Sequence, residues 1–397
     1  MASFRERIAQ LSKPNIEAVG LEIGTSALKV VELKAGVPPS LSALAIRPMP
    51  PGLIQDDQIV NAQALADEIK ALYQDAGINI RKKPYVVTAV SNSVAITRNI
   101  FVPKMSLSEL EEAIKWEAER YIPYPLEEVT LDYYPLDHPD DIPDDGQIEV
   151  IIAASRLDLI EQQVNYLKLA GLEPVIIDIK PFALLRSLKG SLLGDKLSKL
   201  TLVGNSYTEN DEIGVVLEIA ASGTTITLVR GERVLMNRNV SASGDDFTAA
   251  LQRAFNLDFD SAENIKVGYG TATIPTEDEE ELLNFDTERE QFSPGRVYEA
   301  LRPVLVDLTT EIRRSLEFFR VQAGDANISR MMITGGSAKL PGLSEAIGDA
   351  LGFRVDVGDP WLTVIVDYNK FDREYIADIA PEIAVPLGLA LRGVNLD

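Results

Sequence analysis

Two short segments of the sequence place an acid, small residues and hydroxyl residues in the same order. Residues 21–33 read LEIGTSALKVVEL, and residues 217–229 read LEIAASGTTITLV. Glycine, serine and threonine at the tip of a tight turn offer backbone N–H groups that can approach a phosphate closely. The acid near the end of each first strand, Glu22 or Glu218, can hold Mg²⁺ through water. The repeated segment therefore indicates a site that holds one phosphate chain from two sides.

The composition excludes several other kinds of chemistry. Lys and Arg number 38 against 61 Asp and Glu, a formal net charge of −23, which would repel a nucleic-acid backbone. The chain has no cysteine, which excludes disulfides, thiolate metal sites and cysteine nucleophiles and is compatible with a reducing cytoplasm. The single histidine, His138, cannot build a histidine-based triad or a multi-histidine metal site. We interpret it as a solvated loop residue.

The pattern around the first segment predicts the start of an α/β layer. Apolar residues alternate over 18–33 and 41–46, as in strands, and recur at helical spacing over 60–76. A strand follows at 84, then a helix over 157–170 and the strand EPVIIDIKP. Because 397 residues exceed what a single core usually supports, we expect at least two lobes.

The second segment opens another layer of the same kind. Its strand-turn-strand unit is followed by predicted helices over 245–255 and 261–268. A long helix is predicted to begin at Ser293 and Pro294, which suit the N-cap and first turn. Its apolar stripe consists of Val297, Leu301, Val304, Leu305, Leu308, Ile312, Leu316 and Phe319. A closing helix is predicted over 381–391, and two lobes that begin alike imply a cleft between related halves.

Residues 101–154 interrupt this rhythm of strands and helices. Ser106 and Glu109 have the spacing of a capping box, and Pro123 and Pro125 end the predicted helix. A strand, an acidic Pro-rich loop and the strand QIEVIIAAS follow. We interpret the segment as a small α+β insertion in the first lobe.

The sequence offers no membrane-spanning segment, because it contains no run of about 18 apolar residues. The start, MASFRERIAQL, is too short and too charged for a signal peptide. It is amphipathic, since Phe4, Ile8 and Leu11 fall at helical spacing. A helix docked on its own chain is the favoured interpretation, with a membrane-surface contact and a disordered leader as alternatives.

These segments give the chain a resemblance, nearly end to end, to the superfamily of actin, sugar kinases and heat-shock chaperones. LEIGTSALKVVEL is similar to its first phosphate loop, LEIAASGTTITLV to its second, and ITGGSAKLPGL to its adenosine loop. The resemblance implies an actin-like ATPase fold, with two related α/β lobes around a nucleotide cleft that binds ATP and Mg²⁺. The site residues that it implies are Gly24, Thr25, Ser26 and Lys29 for phosphates on one side, Ser222, Gly223 and Thr224 on the other, Gly335, Gly336 and Ser337 under the adenosine, and Glu263 and Lys266 at the ribose and adenine.

Each of these motifs also has an ordinary structural interpretation. Alone, either glycine loop would be a hairpin turn, Lys29 a solvated strand residue, and Glu263 with Lys266 an exposed helical pair. The duplication of the loop, joined to GGSAKLPG in the right order, favours nucleotide binding instead.

Longer segments narrow the resemblance to the cell-division protein FtsA and to the PilM family, the actin-like proteins of type IV pilus assembly. The place of the insertion, after VTAVSNSVAITRNIFVP, resembles FtsA, while WEAERYIPYPLEEVTLDYYPL, DIKPFALLRSL, EIRRSLEFFR and PEIAVPLGLALRG are similar to PilM. The PilM resemblance implies a cytoplasmic ATP-binding scaffold, peripheral to the inner membrane. It also implies that the chain binds the cytoplasmic N-terminal peptide of PilN and other type IV pilus assembly proteins, with the insertion as the expected receptor.

The elements and the resemblance together predict how the chain is divided. The expected parts are a first-lobe core over 1–100 and 155–212, the FtsA-like insertion over 101–154, a second-lobe core over 213–243 and 293–375, a small subdomain of that lobe over 244–292, and a closing helix over 376–397 that returns to the first lobe.

Departures from the superfamily pattern bear on catalysis. Glu22 and Glu218 stand where most members have Asp, and Ala220 stands where Gly is usual. Glutamate is one methylene longer, and a misplacement near 1 Å can cost about 100-fold in rate, so we expect ATP binding with weak hydrolysis at most. The alternatives are a small-molecule kinase of the same fold, for which no segment marks a carboxylate base, an FtsA-like cell-division protein, and a nucleotide-free interaction module, which the intact adenosine loop disfavours.

Overall fold

The computed structural model describes residues 17–55, 58–90, 94–137, 143, 146–193, 212–231, 233–275, 292–323 and 328–394. The amphipathic N-terminal segment and His138 lie outside the described residues.

The secondary structure alternates strands and helices along most of the chain. The strands are β1 (Glu17–Ile23), β2 (Ala27–Lys34), β3 (Ser40–Pro48), β4 (Ile54–Gln55), β5 (Gln58–Ile59), β6 (Tyr85–Val90), β7 (Ala95–Pro103), β8 (Val129–Pro135), β9 (Gln147–Arg156), β10 (Pro174–Ile179), β11 (Ile213–Ile219), β12 (Thr224–Arg230), β13 (Arg233–Val240), β14 (Ile328–Thr334) and β15 (Val355–Val357). The α-helices are α1 (Ala62–Asp75), α2 (Leu107–Ala118), α3 (Leu157–Leu169), α4 (Lys180–Leu193), α5 (Gly244–Phe255), α6 (Phe259–Tyr269), α7 (Pro294–Ala323), α8 (Leu343–Leu351) and α9 (Arg373–Val394).

The chain divides into two compact units with matching central sheets. Unit 1 comprises Met1–Arg186 and Val385–Asp397, and unit 2 comprises Ser187–Ala384. The five-stranded sheets have the orders β3-β2-β1-β6-β10 and β13-β12-β11-β14-β15. In each sheet the first two strand pairs are antiparallel and the last two are parallel. This repetition of order and direction confirms the two related α/β lobes, while the nucleotide cleft expected between them stays a prediction.

The repeated sequence segments occupy equivalent places in the two sheets. β1 and β11 are the central strands, and each turns back into an antiparallel neighbour. Glu22 lies directly opposite Lys29 in unit 1, and Glu218 lies opposite Thr225 in unit 2. Central strands covered on both faces read as continuous apolar runs rather than as alternating patterns, and residues 213–219 are accordingly all buried. The strand-turn-strand prediction is therefore confirmed for both copies.

Helices cover each sheet with the apolar stripes that the sequence predicts. In unit 1, α1 buries Leu65, Ile69, Leu72 and Tyr73 against the sheet residues of the same core. In unit 2, α7 buries the whole predicted stripe from Val297 to Phe319. Each fully buried Leu, Val, Ile or Phe side chain contributes about 1.5–3 kcal/mol relative to exposure. These faces fix the sheets whose edges carry the candidate site.

A separate three-stranded antiparallel sheet, β7-β9-β8, forms the predicted insertion in unit 1. Its helix α2 begins with the capping box, since Ser106 and Glu109 exchange the expected hydrogen bonds. Leu110 and Ile114 of α2 pack against the sheet in a core of their own. The sheet runs from Ala95 to Arg156, so it extends a few residues beyond the predicted range on both sides.

One strand and one helix differ from their predicted bounds, and α4 was not predicted. The strand predicted as EPVIIDIKP ends at Ile179, and Lys180 already begins α4, because Pro181 suits the first turn of a helix. The closing helix begins at Arg373 instead of residue 381, since Pro381 lies inside it and not at its start. Its last part packs on β1 so closely that a Cβ added to Gly20 would lie 1.9 Å from the Pro386 carbonyl oxygen.

Within the part of the chain that the structure describes, no helix is both long and apolar enough to cross a membrane.

Candidate functional site

The first predicted phosphate turn is held by its own backbone. The Gly24 N–H donates to the Ala27 carbonyl at 3.0 Å, and the Ser26 carbonyl accepts the Met49 N–H at 2.9 Å. Thr25 is half-buried, and Ser26 is exposed at the tip. The turn is therefore a fixed platform at the carboxyl end of β1.

Glu22 precedes this turn by two residues, and its side chain is only 5% exposed. Lys180 Nζ donates to Glu22 Oε1 at 2.9 Å, and Lys29 Nζ lies 3.4 Å from Oε2. Lys29 reaches across from β2, whereas Lys180 is the first residue of α4, directly after β10. Two ammonium groups thus converge on one buried carboxylate.

The charge state of Glu22 is set by opposing effects. Burial acts to raise its pKa, because a carboxylate loses hydration inside the protein. The positive charges of Lys180 and Lys29, together with the hydrogen bond from Lys180, outweigh burial and hold the pKa of Glu22 below its usual 4.5. Glu22 is therefore ionised at neutral pH and tied to its two lysines.

Sequence reasoning proposed Lys29 but missed Lys180. Lys180 follows β10 and Glu22 lies near the end of β1, and both strands run parallel to β6. The carboxyl ends of these strands therefore meet at one edge of the sheet, the usual place for ligands in α/β sheets. A lysine immediately after a predicted parallel strand was the available signal.

The second predicted phosphate turn is tied to the start of a helix. The Ala220 N–H donates to the Gly223 carbonyl at 3.0 Å and closes the turn. The N–H groups of Gly244 and Asp245 donate to the carbonyls of Ala220 and Ala221 at 2.8 and 2.9 Å. N–H groups in the first turn of a helix have no partner within the helix, and α5 uses two of them to hold this turn.

The other residues of the second segment have distinct surroundings. The buried Thr224 hydroxyl donates to the Ala242 carbonyl at 2.6 Å, which ties the end of the turn to the segment after β13. Ser222 is exposed at the tip. Glu218 is buried, with 6% of its surface exposed, in the place that Glu22 takes in unit 1.

The predicted adenosine loop follows β14 and has a backbone that only glycine adopts readily. Gly335 has φ +90° and ψ 171°, a region that is essentially closed to other residues. Its N–H donates to the Pro381 carbonyl at 2.8 Å, and an added Cβ would lie 2.6 Å from the Ile219 carbonyl oxygen. Gly336 is exposed, with nothing within 4 Å of an added Cβ. The backbone conformation of Gly335 thus determines the shape of the loop, and Gly336 lies exposed on its surface.

Gly244 is the point where the predicted segments of unit 2 meet. A Cβ added there would lie 2.6 Å from Ser337 Oγ of the adenosine loop and 3.2 Å from the Ala220 carbonyl oxygen of the phosphate turn. The Gly244 carbonyl also accepts Lys266 Nζ at 3.2 Å. Sequence reasoning did not propose Gly244, although its place after the N-cap residue Ser243 marked it as the start of a helix.

Glu263 and Lys266 form a pair on α6 that is only partly solvated. Lys266 Nζ lies 2.6 Å from Glu263 Oε2, and the lysine side chain is 14% exposed. The Thr248 hydroxyl donates to Glu263 Oε2 at 2.5 Å and accepts from Lys266 Nζ at 2.8 Å. The burial of Lys266 argues against a simple exposed helical pair.

Charge around this pair also affects Asp245 at the start of α5. Burial raises the pKa of Asp245, and the negative charges of Glu263 and Asp246 add to that effect while Lys266 opposes it. Asp245, which borders the second phosphate turn, is therefore harder to ionise than an exposed aspartate.

The predicted site residues form one group in each unit. Glu22, Lys29 and the first turn lie together in unit 1, and the remaining predicted residues lie together in unit 2. Among the described residues, no three His, Cys, Asp or Glu side chains are arranged as a metal site. Mg²⁺ often binds through one or two carboxylates together with phosphates and water.

Comparison with known proteins relates this geometry to a family. The model of the type IV pilus assembly protein PilM matches residues 20–394. A solved PilM-PilN type IV pilus biogenesis complex is 43% identical, and the match covers 96% of this chain and 99% of that chain with a TM-score of 0.78.

More distant likenesses agree with the fold. Ethanolamine utilization protein EutJ from Carboxydothermus hydrogenoformans is 16% identical, with 97% of this chain and 93% of that chain covered at a TM-score of 0.52. Cell division protein FtsA of Bacillus subtilis (strain 168) is 21% identical over an alignment of 370 residues that covers 86% of this chain and 78% of that protein. The two-lobed actin-like fold is confirmed, and because the family model spans nearly the whole sequence, the chain belongs to the PilM family of type IV pilus assembly proteins.

Proposed function

We propose that this PilM-family chain is an ATP-binding scaffold that recruits a membrane-anchored partner to the type IV pilus machinery. ATP binding is supported above all by Gly244, where the phosphate turn, the Gly335 loop and Lys266 meet. Groups proposed to touch phosphate and adenosine therefore share one place in unit 2. In unit 1, the turn after β1 offers a second set of groups beside Lys29.

The proposed assignments follow the sequence predictions. Phosphates would be bound by Gly24, Thr25, Ser26, Lys29, Ser222, Gly223 and Thr224, adenosine by Gly335, Gly336 and Ser337, and the ribose and adenine by Glu263 and Lys266. The sequence also predicts Mg²⁺ held through water by Glu22 and Glu218, but the two lysines beside the Glu22 carboxylate disfavour a metal ion at that acid.

ATP should stabilise the protein against heat. A ligand that binds only the native state adds about 2.7 kcal/mol at 100-fold over its Kd, so millimolar ATP with Mg²⁺ should raise the Tm measured by differential scanning fluorimetry. Gly336→Asp should abolish this rise, because a carboxylate on the exposed loop repels phosphates and crowds the adenosine. Gly336→Ala is the matched control and should keep the rise, since a Cβ meets open space there.

An unchanged Tm of the wild-type protein with ATP would contradict ATP binding. Turnover should be far slower than the roughly 1–100 per second of typical kinases. Rapid hydrolysis stimulated by one small metabolite would point to the kinase alternative.

The proposed partner is a protein like the PilN of the solved PilM-PilN complex, recognised through its cytoplasmic N-terminal peptide. The separate sheet of the insertion has two edge strands, β7 and β8, and an extended peptide can add to such an edge. Phe101 and Tyr134 are 62% and 64% exposed on the sheet face opposite α2. Such a tether would hold the chain at the inner membrane, where other pilus assembly proteins could join it.

The sheet face follows from the strand register. Phe101 pairs with Glu149, and Tyr134 pairs with Ile151, two positions apart on β9 and therefore on one face. The other face of β9, which includes Val150, packs against α2. The insertion thus has one buried face and one face with exposed aromatic side chains.

Removing the insertion should abolish peptide binding and leave ATP binding intact. Ala95 and Ser155 are directly paired across β7 and β9, so residues 95–155 can be replaced by a short glycine linker with little distortion. Binding of a synthetic PilN N-terminal peptide would be followed by fluorescence anisotropy. In the full-length chain, Phe101→Ser with Tyr134→Ser should weaken binding.

Val321→Ser is the control for the loss of an exposed apolar side chain, since Val321 is 86% exposed in unit 2. Full peptide affinity in the deletion variant, with its ATP response preserved, would place the docking site outside the insertion.

A further inference from the structure

The buried carboxylate of Glu22 is already engaged by two cations of the protein. Lys180 Nζ lies 2.9 Å from one oxygen and Lys29 Nζ lies 3.4 Å from the other. The two lysine side chains are 15% and 12% exposed, so neither is a freely solvated surface group. Glu22 therefore anchors both ammonium groups beside the first phosphate turn.

This arrangement does not suit a metal ion at Glu22. Mg²⁺ requires nearly ideal octahedral oxygen ligands and retains several waters. A hydrated dication next to Glu22 would face two ammonium charges within a few ångströms of the same oxygens, and like charges in a weakly solvated place repel strongly. The low pKa of Glu22 has the same origin, since Lys180 and Lys29 stabilise the carboxylate against burial.

The three side chains together carry one negative and two positive charges. They lie beside the Gly24–Ser26 turn at the edge of the sheet. Lysine is a compact point charge that binds phosphate well, and the carboxylate fixes where each ammonium lies. The triad offers the positive charge that a metal would otherwise bring to this side of the nucleotide.

We infer that Glu22 serves as a positioning residue for Lys29 and Lys180, and that these lysines replace a metal ion, so that ATP binds without needing Mg²⁺ at this acid. The inference rests on the proposed ATP binding and adds Lys180 to the phosphate-binding residues. It also gives a second reason for weak hydrolysis, because a carboxylate held by two ammonium groups is a poor proton acceptor.

Isothermal titration of ATP into the full chain tests the inference, once with Mg²⁺ and once with excess EDTA. For the wild-type protein we expect Kd values within about threefold of each other. A loss of about tenfold or more in EDTA would overturn the inference while leaving the proposed ATP binding in place. Absence of binding in both buffers would contradict ATP binding itself, and the inference with it.

A matched pair of variants isolates the ammonium charge. Lys180→Met keeps the length of the side chain without its charge and should bind ATP at least about tenfold more weakly in EDTA than in Mg²⁺. Lys180→Arg keeps the charge and should show the small wild-type difference. Amide hydrogen exchange in β1 and β2 checks that both variants are folded. Equal Kd values in both buffers for folded Lys180→Met would overturn the role of Lys180.

Discussion

Glu22→Gln is expected to destabilise unit 1 by about 3 kcal/mol or more, because removing one partner from a buried ion pair leaves the other charges uncompensated. Glutamine keeps the shape of the side chain, so the loss reports on charge. Lys29 and Lys180, both largely buried, would lose their shared carboxylate. Amide hydrogen exchange in β1 and β2 measures the change within unit 1, where a whole-chain melt would mix two units.

Glu17→Gln is the matched control, since Glu17 lies on the same strand but is exposed, and its change should stay within about 0.5 kcal/mol. The double variant Glu22→Gln with Lys180→Met should recover part of the loss, because one uncompensated ammonium is removed. If Glu22→Gln exchanged no faster than Glu17→Gln, the triad would be energetically unimportant.

The pH dependence of the same contribution has a definite sign. The pKa of Glu22 in the folded protein is below its usual 4.5, so the unfolded chain binds the proton more readily. The stability from Glu22 is therefore complete above about pH 4.5 and is lost as the pH falls through the folded pKa. The free energy of unfolding of Glu22→Gln should not show this loss at acidic pH.

Gly335→Ala should cost unit 2 several kcal/mol, whereas its neighbour tolerates the same change. The backbone at φ +90° costs a residue with a side chain about 1–3 kcal/mol. The new Cβ would also lie 2.6 Å from the Ile219 carbonyl oxygen and 2.9 Å from its carbon, and such overpacking costs about 1–3 kcal/mol more. ATP-dependent stabilisation should fall as well, because the displaced loop would carry Gly336 and Ser337 out of place.

The two tryptophans make this measurement specific. Trp361 is buried in unit 2, and Trp116 is 74% exposed in unit 1, so in a Trp116→Phe background urea unfolding followed by fluorescence reports on unit 2. Gly336→Ala is the control, with a change within about 0.5 kcal/mol. Equal midpoints for the two alanine variants would show that the loop adapts freely around residue 335.

The fold could be predicted largely because its signals are local. Strand and helix periods, the Ser106 capping box and the stripe of α7 are each written within a few turns of chain. The repeated segment revealed the duplication, which the matching strand orders confirm. The start of α9 was missed because Pro381 looked like a helix start. In the structure Pro381 lies inside α9, and its carbonyl accepts hydrogen bonds from the Thr334 hydroxyl and the Gly335 N–H.

The candidate site was less predictable because it depends on pairing across the sheets. Lys180 lies 158 residues from Glu22 along the chain, and only the order of β1, β6 and β10 brings them together. Gly244 directly precedes the predicted helix over 245–255, and only the structure shows the phosphate turn, Ser337 and Lys266 around it. The sequence motifs identified the loops, but they could not identify the residues from distant parts of the chain that contact those loops.

The close packing of α9 on β1 has a consequence for synthesis of the protein. Unit 1 combines residues from both ends of the described chain, and the segment Val385–Val394 supplies Leu387 and Leu389, which are fully buried. Unit 2 is continuous from Ser187 to Ala384. A ribosome releases the N-terminal part first, and domains fold as units. Unit 2 can therefore complete its fold before unit 1 does. Although most of unit 1 is synthesised earlier, the surface of β1 at Gly20 stays uncovered until the last part of α9 packs on it.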